Sequence, residues 1–216
     1  MKKKMSMVLT VVLMAVTLGT ICPVQAHAAQ TDVTKNMAAN RNIRKLSKMI
    51  TAYTTAMNLS NYSTTKPVKV KMNNDDKLSI AAFVRYNFKN DYSYTAAELR
   101  SETKNLFGKS ATVKKIKKDK TKMMMVCNAD RRFVKKDAYM YCGGDFADVI
   151  PAWKITKVVQ TGKNTYTVTI QNRIGYYGEK GTTAIGTTTL KIKKASASKY
   201  GYVIKGLGYQ YNGNAF

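Results

Sequence analysis

The chain has 216 residues and a formal net charge of +25, with 37 Lys and Arg against 12 Asp and Glu and a single histidine. So few acidic and imidazole groups argue against an enzyme that relies on histidine for proton transfer or metal binding. We therefore expect a non-catalytic protein that needs neither a metal nor another cofactor, and whose partners are anionic.

The N-terminus has the anatomy of a secretory signal peptide. Three lysines follow Met1, an apolar run covers residues 7–21, and Ala26 and Ala28 are the small residues that a signal peptidase reads. The alternative is a transmembrane anchor, but the apolar run is shorter than the roughly 20 residues that a spanning helix needs. We expect removal of residues 1–28 and a protein that is secreted, or associated with the cell surface, without a transmembrane segment.

Cleavage would change the composition of the mature chain. The only histidine, His27, would leave with the signal peptide, and the formal charge would become +22 because 34 cationic residues would remain against 12 acids. The remaining length suits one domain with a substantial core. Residues 29–34 are predicted to form a flexible leader, and residues 35–216 a single α+β domain.

The helical part of the domain is predicted to cover about residues 35–108. Apolar side chains recur at three- and four-residue steps over 35–59, which favours a surface helix with a solvated basic face over one that lies on a membrane. Apolar residues alternate with lysines over 68–72 and indicate a short strand. The run Asn74-Asp75-Asp76 then offers a helix N-cap.

A second helix start is marked more clearly. Thr95 and Glu98 match the capping box, in which each side chain satisfies a free backbone N–H at the start of a helix. Gly108 is placed to end this helix in a left-handed conformation. The two signals together predict a helix between them.

The sheet part is predicted to cover about residues 123–211, where the apolar period changes to two. Trp153, Ile155 and Val159 are expected to share one face, and threonines and lysines alternate with aliphatic residues within 165–193. Short connections make the neighbouring strands antiparallel. Helices followed by a meander predict an α+β fold with the helices packed on one face of the sheet.

The C-terminal part of the sequence resembles a known kind of domain. The segments GGDFADVIPAWKI, NTYTVTI and TTTLKIKKASASKYGYVIKG resemble small secreted domains of Gram-positive bacteria with a cystatin-like or NTF2-like fold. The resemblance implies a curved antiparallel sheet wrapped around helices, often with a pocket between them. It implies no particular activity, because such folds serve many functions.

Two cysteines, Cys127 and Cys142, remain in the mature chain. Export and the even number favour a disulfide, which would stabilise the fold by about 3 kcal/mol in the chain-entropy model. Buried free thiols are the alternative. A cysteine nucleophile would lack a histidine base, and two thiolates without imidazole do not complete a zinc site.

Two glycine-containing stretches have both a functional and a structural interpretation. Asp145 and Asp148 follow a glycine pair. They could act as a general acid and base or bind calcium. A turn before Pro151, which glycine and aspartate both favour, is the preferred interpretation. Tyr176 and Tyr177 lie in a glycine-rich hairpin loop, where they could contact a sugar or another ligand, or form cross-strand pairs.

The densest positive charge, VKKIKKDKTK, follows the helical part of the sequence. We expect it to form an anion-binding patch with basic residues further along the chain, if residues 123–142 fold back on it. The patch consists of Lys114, Lys115, Lys117, Lys118, Lys120, Lys122, Arg131, Arg132, Lys135 and Lys136. The alternative is a solvated charge run that keeps a secreted protein soluble.

Together these features predict an exported, non-catalytic binding domain held by charge near anionic cell-wall polymers or a membrane surface. Specific recognition of nucleic acid is not expected of an exported protein. The alternative is a small-ligand or glycan-binding pocket of the NTF2-like type. An enzyme is disfavoured because no paired carboxylates and no histidine mark an active site.

Overall fold

The computed structural model describes residues 30–60, 65–89, 93–113, 124–126, 129–132, 138–141 and 149–212. The helices are α1 (Thr34–Met37), α2 (Arg41–Ser60), α3 (Asn74–Lys89) and α4 (Ala96–Phe107). The strands are β1 (Thr31–Asp32), β2 (Val68–Val70), β3 (Ser93–Thr95), β4 (Met124–Val126), β5 (Ala129–Arg132), β6 (Ala138–Tyr141), β7 (Val149–Gly162), β8 (Thr165–Tyr176), β9 (Thr183–Lys194) and β10 (Tyr202–Tyr211).

The main sheet is antiparallel and has the strand order β1-β7-β8-β9-β10-β2. A smaller antiparallel sheet has the order β3-β6-β5-β4. Helices combined with antiparallel sheets confirm the predicted α+β class. The long hairpins from β7 to β10 form the predicted meander, and β2 reaches its edge from the helical part of the sequence.

Residues 29–34 are predicted to be a flexible leader, but residues 31–34 of this segment are docked on the sheet. Thr31 and Asp32 form β1 against β7. The backbone N–H of Val33 donates to the carbonyl oxygen of Val158 over 2.9 Å, and the Val33 side chain packs against the core. The leader prediction was wrong over these residues because the edge of β7 offers backbone partners that local sequence does not reveal.

Polar side chains set the helix starts. The predicted helix over 35–59 is split into α1 and α2, because the Asn40 side chain accepts hydrogen bonds from backbone N–H groups two and three residues further on. The cap of α3 is Asn73 rather than a residue of 74–76. Its Oδ1 accepts from the backbone N–H of Asp76 over 2.8 Å, and the Asp76 side chain accepts from the Asn73 N–H.

The capping box of α4 is confirmed. The Thr95 hydroxyl accepts from the backbone N–H of Glu98, and the Glu98 carboxylate accepts from the backbone N–H of Thr95 over 2.7 Å. Gly108 ends the helix with φ at 79°, as predicted from the tolerance of glycine for this conformation.

A β-bulge changes the buried face of β7. Trp153 and Ile155 pack against the core as predicted, but the register shifts between Ile155 and Lys157. Val158 is therefore the fully buried residue, and the predicted Val159 is on the opposite face. A bulge inserts one residue without a cross-strand partner and so reverses the alternation beyond it.

The core lies between the helices and one face of the main sheet. Helix α2 packs across β7, β8, β9 and β10, and α4 packs against β10 and α3. Ile43 and Leu46 of α2 are fully buried, as are Val168 and Leu190 of the sheet. The helices therefore cover one face of the sheet and leave the other face for the side chains described next.

Candidate functional site: the lysine–threonine face

The sheet face turned away from the helices is rich in lysine and threonine. Its residues alternate along the strands with those buried against the helices. We call it the lysine–threonine face, and it comprises Lys69, Lys154, Lys157, Thr165, Thr167, Thr169, Gln171, Arg173, Thr187, Thr189, Lys191, Lys193, Lys205, Gly206 and Gly208.

One row of this face crosses five strands. Lys157 pairs with Thr169, which pairs with Thr189. Thr189 pairs in turn with Gly208, and Gly208 with Lys69. Neighbouring strands lie about 4.8 Å apart, so the two lysine backbones are about 19 Å apart across the row. The row thus presents two hydroxyl groups and a bare backbone between two ammonium groups.

Glycines open a groove beside this row. Gly206 pairs with Lys191, and Gly208 lies two residues further along β10, so that stretch of the strand carries no side chain on this face. A β-bulge between Ile204 and Gly206 inserts Lys205 at the rim. The groove holds about 420 Å³. Its lining consists of Lys69, Thr189, Lys191, Lys205, Gly206, Leu207 and Gly208.

The charge of the lysine–threonine face is almost entirely positive. Its cations are Lys69, Lys154, Lys157, Arg173, Lys191, Lys193 and Lys205. The ion pairs among the described residues instead join side chains of α3, α4 and the β9–β10 hairpin. Asp32 lies at the β1 rim, and hydrogen bonds from Thr34 and then the charge of Lys157 lower its pKa. None of these ion pairs among the described residues involves a lysine of this face.

Arg173 is a cation of this face that the surrounding side chains hold in place. Its Nε donates to the Thr182 hydroxyl over 2.8 Å, and its Nη1 donates to Oε1 of Gln171 over 2.9 Å. The lysines are exposed, and lysine is a flexible point charge. The face is therefore suited to diffuse attraction of anions rather than to recognition of one rigid shape.

The helix side carries a second charged group of residues, centred on Glu102 of α4. Glu102 is 1% exposed, and its Oε2 accepts hydrogen bonds from Lys199 Nζ over 2.6 Å and from Lys89 Nζ. Its Oε1 accepts from the Tyr200 hydroxyl over 2.5 Å. Burial raises the pKa of Glu102, but the hydrogen bonds from Lys199, Lys89 and Tyr200 outweigh burial and lower it overall. Burial, followed by the bond to Glu102, raises the pKa of Tyr200.

A buried polar cluster joins α2 to the sheet. Asn172 Nδ2 donates to the Thr188 hydroxyl over 2.9 Å, and Thr188 and Thr54 share a hydrogen bond of 3.0 Å. The Thr54 hydroxyl donates to the Thr51 carbonyl oxygen over 3.1 Å, and Asn172 Nδ2 also reaches the Tyr211 hydroxyl. Within the described part of the chain, two buried oxygens of this cluster have no hydrogen-bond partner: Thr51 Oγ1 and Asn172 Oδ1.

The tyrosines predicted to contact a ligand do not line the groove. Tyr176 is half-buried and packs against Ile174, Ile185 and Tyr211. Tyr177 is 82% exposed at the end of the β8–β9 hairpin. A role for either residue in ligand binding stays a prediction.

Other predicted features lie outside the described residues. They are the signal peptide (residues 1–28), Cys127, Cys142, Asp145, Asp148, Lys114, Lys115, Lys117, Lys118, Lys120, Lys122, Lys135 and Lys136. Arg131 and Arg132 belong to β5, whose backbone pairs with β4 and β6. The disulfide and the anion-binding patch therefore stay predictions.

The sequence contained a signal for the lysine–threonine face, but not for the Glu102 group. Threonine and lysine alternate with aliphatic residues in β8 and β9, so one polar face was predictable. Its extension to Lys69 depends on β2 pairing with β10. No local pattern links Glu102 to Lys89 and Lys199.

Over the part of the chain that the structure describes, no cluster of His, Cys, Asp and Glu could hold a metal ion, and no helix is long and apolar enough to cross a membrane. No protein-family model, curated protein or solved structure matches the chain. The cystatin-like or NTF2-like assignment therefore stays a prediction.

Proposed function

We propose that this protein is an exported, non-catalytic binding domain that holds anionic cell-wall polymers on its lysine–threonine face. The observation that carries the proposal is the row from Lys157 to Lys69, with two threonines between the lysines and no acidic residue within it. The predicted signal peptide supplies the expectation of export.

The chemistry of the face suits an extended polyanion. Ammonium groups attract phosphate or carboxylate groups and displace their counterions, and threonine hydroxyls donate hydrogen bonds to the same oxygens. Gly206 and Gly208 let a chain approach the backbone of β10, because neither position carries a side chain. A row about 19 Å wide fits several successive charges of a polymer better than one compact ion.

A membrane surface fits the face less well than a soluble polymer does. Peripheral binding to lipid is strengthened by apolar side chains that enter the bilayer beside the basic residues. Among the described residues, the exposed large hydrophobic side chains are Ile150 and Tyr177, at one end of β7 and beyond the end of β8. Neither lies among the lysines at the centre of the face.

The test compares binding of the mature protein to intact cell walls and to walls stripped of teichoic acid, at low and high salt. The face variant is Lys69→Gln/Lys191→Gln/Lys205→Gln. The control variant, Lys35→Gln/Lys163→Gln/Lys180→Gln, removes the same charge from exposed positions outside the face. We expect the face variant to reduce the slope of log affinity against log salt by about 2 to 3, because three phosphate contacts are lost.

Three results would contradict the proposal or relocate the site. Equal, salt-independent retention on both wall preparations would exclude anionic polymers as the partner. Equal losses in the face and control variants would mean that total charge, and not this face, determines binding. A larger loss on changing Lys114, Lys115, Lys117 and Lys118 to glutamine would assign the contact to the lysine run instead.

A small-ligand pocket of the NTF2-like type is the second candidate function. The buried Thr51 Oγ1 and Asn172 Oδ1, which have no partner among the described residues, support it, because buried polar atoms ordinarily have a protein, water or ligand partner. Mass spectrometry of molecules released from the denatured protein, purified from its natural source, tests this function. A stoichiometric polar compound would support it, whereas an empty protein with no ligand-dependent rise in melting temperature would count against it.

A further inference from the structure

The Glu102 group holds two lysine side chains side by side at the surface of the helix layer. Lys89 and Lys199 donate to the same carboxylate oxygen, yet their side chains are 30% and 40% exposed. One carboxylate compensates one ammonium charge, so an excess positive charge remains. Each ammonium group has three donors and spends one on Glu102, which leaves donors for an incoming anion.

Two further lysines of α2 lie in the same region. Lys45 Nζ is 5.4 Å from the centre of the Tyr200 ring, and Lys199 Nζ is 5.0 Å from the same centre. Lys48 Nζ lies 5.9 Å from the ring of Phe88, the residue before Lys89. We call these four lysines around Glu102 the helix-side cluster: Lys45, Lys48, Lys89 and Lys199.

The scaffold of the helix-side cluster is fixed. The Ser198 hydroxyl donates to the Asn105 carbonyl oxygen over 2.6 Å, and the Lys199 backbone N–H donates to Asn105 Oδ1 over 3.1 Å. These bonds attach the β9–β10 hairpin to α4 beside Glu102. The backbone of Lys199 is therefore fixed by Asn105 and its ammonium group by Glu102. This double attachment favours an assembled anion site over a loose surface charge.

The helix-side cluster and the lysine–threonine face lie on opposite sides of the domain. The cluster lies on α2, the end of α3 and the β9–β10 hairpin; α2 covers one face of the main sheet, and α3 packs against α2 and α4. The lysine–threonine face is the other side of that sheet. A single extended polymer therefore cannot lie flat on both surfaces at once.

We infer that the helix-side cluster is a second polyanion-binding site, so that one molecule bridges two anionic polymer chains. This inference rests on the proposed function, because the lysine–threonine face supplies the first site. Bridging would make the protein a cross-linker of phosphate-bearing polymers, beyond a protein that is merely retained by them. The relevant ligand chemistry is a chain of phosphate groups, which both surfaces can attract.

The experiment uses inorganic polyphosphate in a short and a long form with the mature protein. Fluorescence anisotropy with short labelled polyphosphate measures binding, and light scattering with long polyphosphate in excess over protein measures bridging. The helix-side variant is Lys45→Gln/Lys48→Gln/Lys199→Gln, which leaves Lys89 on Glu102. The face variant and control variant are those of the wall-binding test. If the triple variant unfolds, a Lys45→Gln/Lys48→Gln variant replaces it, because that variant leaves the bonds from Lys89 and Lys199 to Glu102 intact.

We expect wild type and control variant to scatter strongly, and the face and helix-side variants to lose most of the scattering while still binding short polyphosphate. Scattering by the helix-side variants equal to that of the control would overturn the inference, as would wild-type complexes that contain one long chain per protein. Failure of the wild type to bind short polyphosphate in a salt-dependent manner would instead overturn the proposed function. Anisotropy and scattering therefore separate the two failures.

Discussion

Lys199 Nζ lies 2.6 Å from Oε2 of Glu102, although the two residues are 97 positions apart in the chain. The bond connects the β9–β10 hairpin to α4, and Lys89 of α3 donates to the same oxygen. One buried carboxylate thus ties three elements together. The free energy of unfolding should therefore be sensitive to the charge of this single side chain.

The substitution Glu102→Gln keeps the shape of the side chain and an acceptor for the Tyr200 hydroxyl. It removes the negative charge that compensates the ammonium groups of Lys89 and Lys199. Loss of one partner from a fully buried ion pair costs about 3–5 kcal/mol, and partial exposure of both lysines lowers our expectation to about 2 kcal/mol. Urea unfolding at neutral pH measures the loss. The exposed Glu179→Gln control should stay within about 0.5 kcal/mol of wild type, and equal stability of both variants would contradict the prediction.

The same carboxylate should contribute to acid sensitivity. Because the pKa of Glu102 is lowered in the folded protein from its ordinary value of 4.5, the folded state binds a proton less readily than the unfolded state. Its stabilisation is therefore complete above that ordinary value and is lost as the pH falls through the lowered pKa. We expect the stability gap between wild type and Glu102→Gln to narrow in acid. Unfolding measured across a pH series tests this, and a constant gap would refute it.

Gly186 allows close contact between β9 and β10. A Cβ atom there would lie 2.2 Å from the Gln210 carbonyl oxygen and 2.9 Å from the Tyr211 Cα atom, so the two strands would have to move apart. We expect Gly186→Ala to destabilise the fold by about 2 kcal/mol or more. The matched control is Gly206→Ala, whose Cβ would meet only the Lys191 side chain, at 3.5 Å. Similar melting temperatures for the two variants would count against this prediction.

The buried polar cluster should distinguish two threonines of one helix. Thr54→Val removes a hydroxyl that bonds both to Thr188 and to the Thr51 carbonyl oxygen, and we expect a loss of about 1–2 kcal/mol. Thr51→Val removes a buried hydroxyl that has no partner among the described residues, so it should be neutral or stabilising. Chemical denaturation of both variants provides the test. An equal loss in Thr51→Val would show that an internal water or ligand occupies the cluster.

Local chemistry explains which parts of the fold were predictable from sequence. The start and end of α4 depend on residues within one or two turns of each other, so Thr95, Glu98 and Gly108 specified them. The buried face of β7 depends on its pairing with β8. The bulge after Ile155 makes Val158 the buried residue instead of the predicted Val159. Val158 and Val159 are both apolar, so the sequence of this strand alone fits either register.

The sequence predicted which residue types form the candidate site, but not how they are arranged across the sheet. Alternating threonine and lysine indicated a polar strand face, but the row that joins Thr169 to Thr189 and then to Lys69 exists only once the strands are paired. The threonines of α2 weakened its apolar stripe in the sequence. Thr51, Thr54 and Thr55 are nevertheless fully buried, because the helix faces hydroxyl and amide groups of the sheet there.

The strand order also explains how the edge of the main sheet is protected from pairing with another copy of the chain. At one margin, β1 covers only two residues of the fourteen-residue β7, and Pro151, Lys154 and Lys157 lie along the rest. Proline lacks an N–H for a ladder bond, and ammonium groups repel an approaching copy that carries the same groups. When many copies are concentrated on one polymer, Pro151 and the lysines along β7 would thus hinder edge-to-edge pairing of their sheets into fibrils.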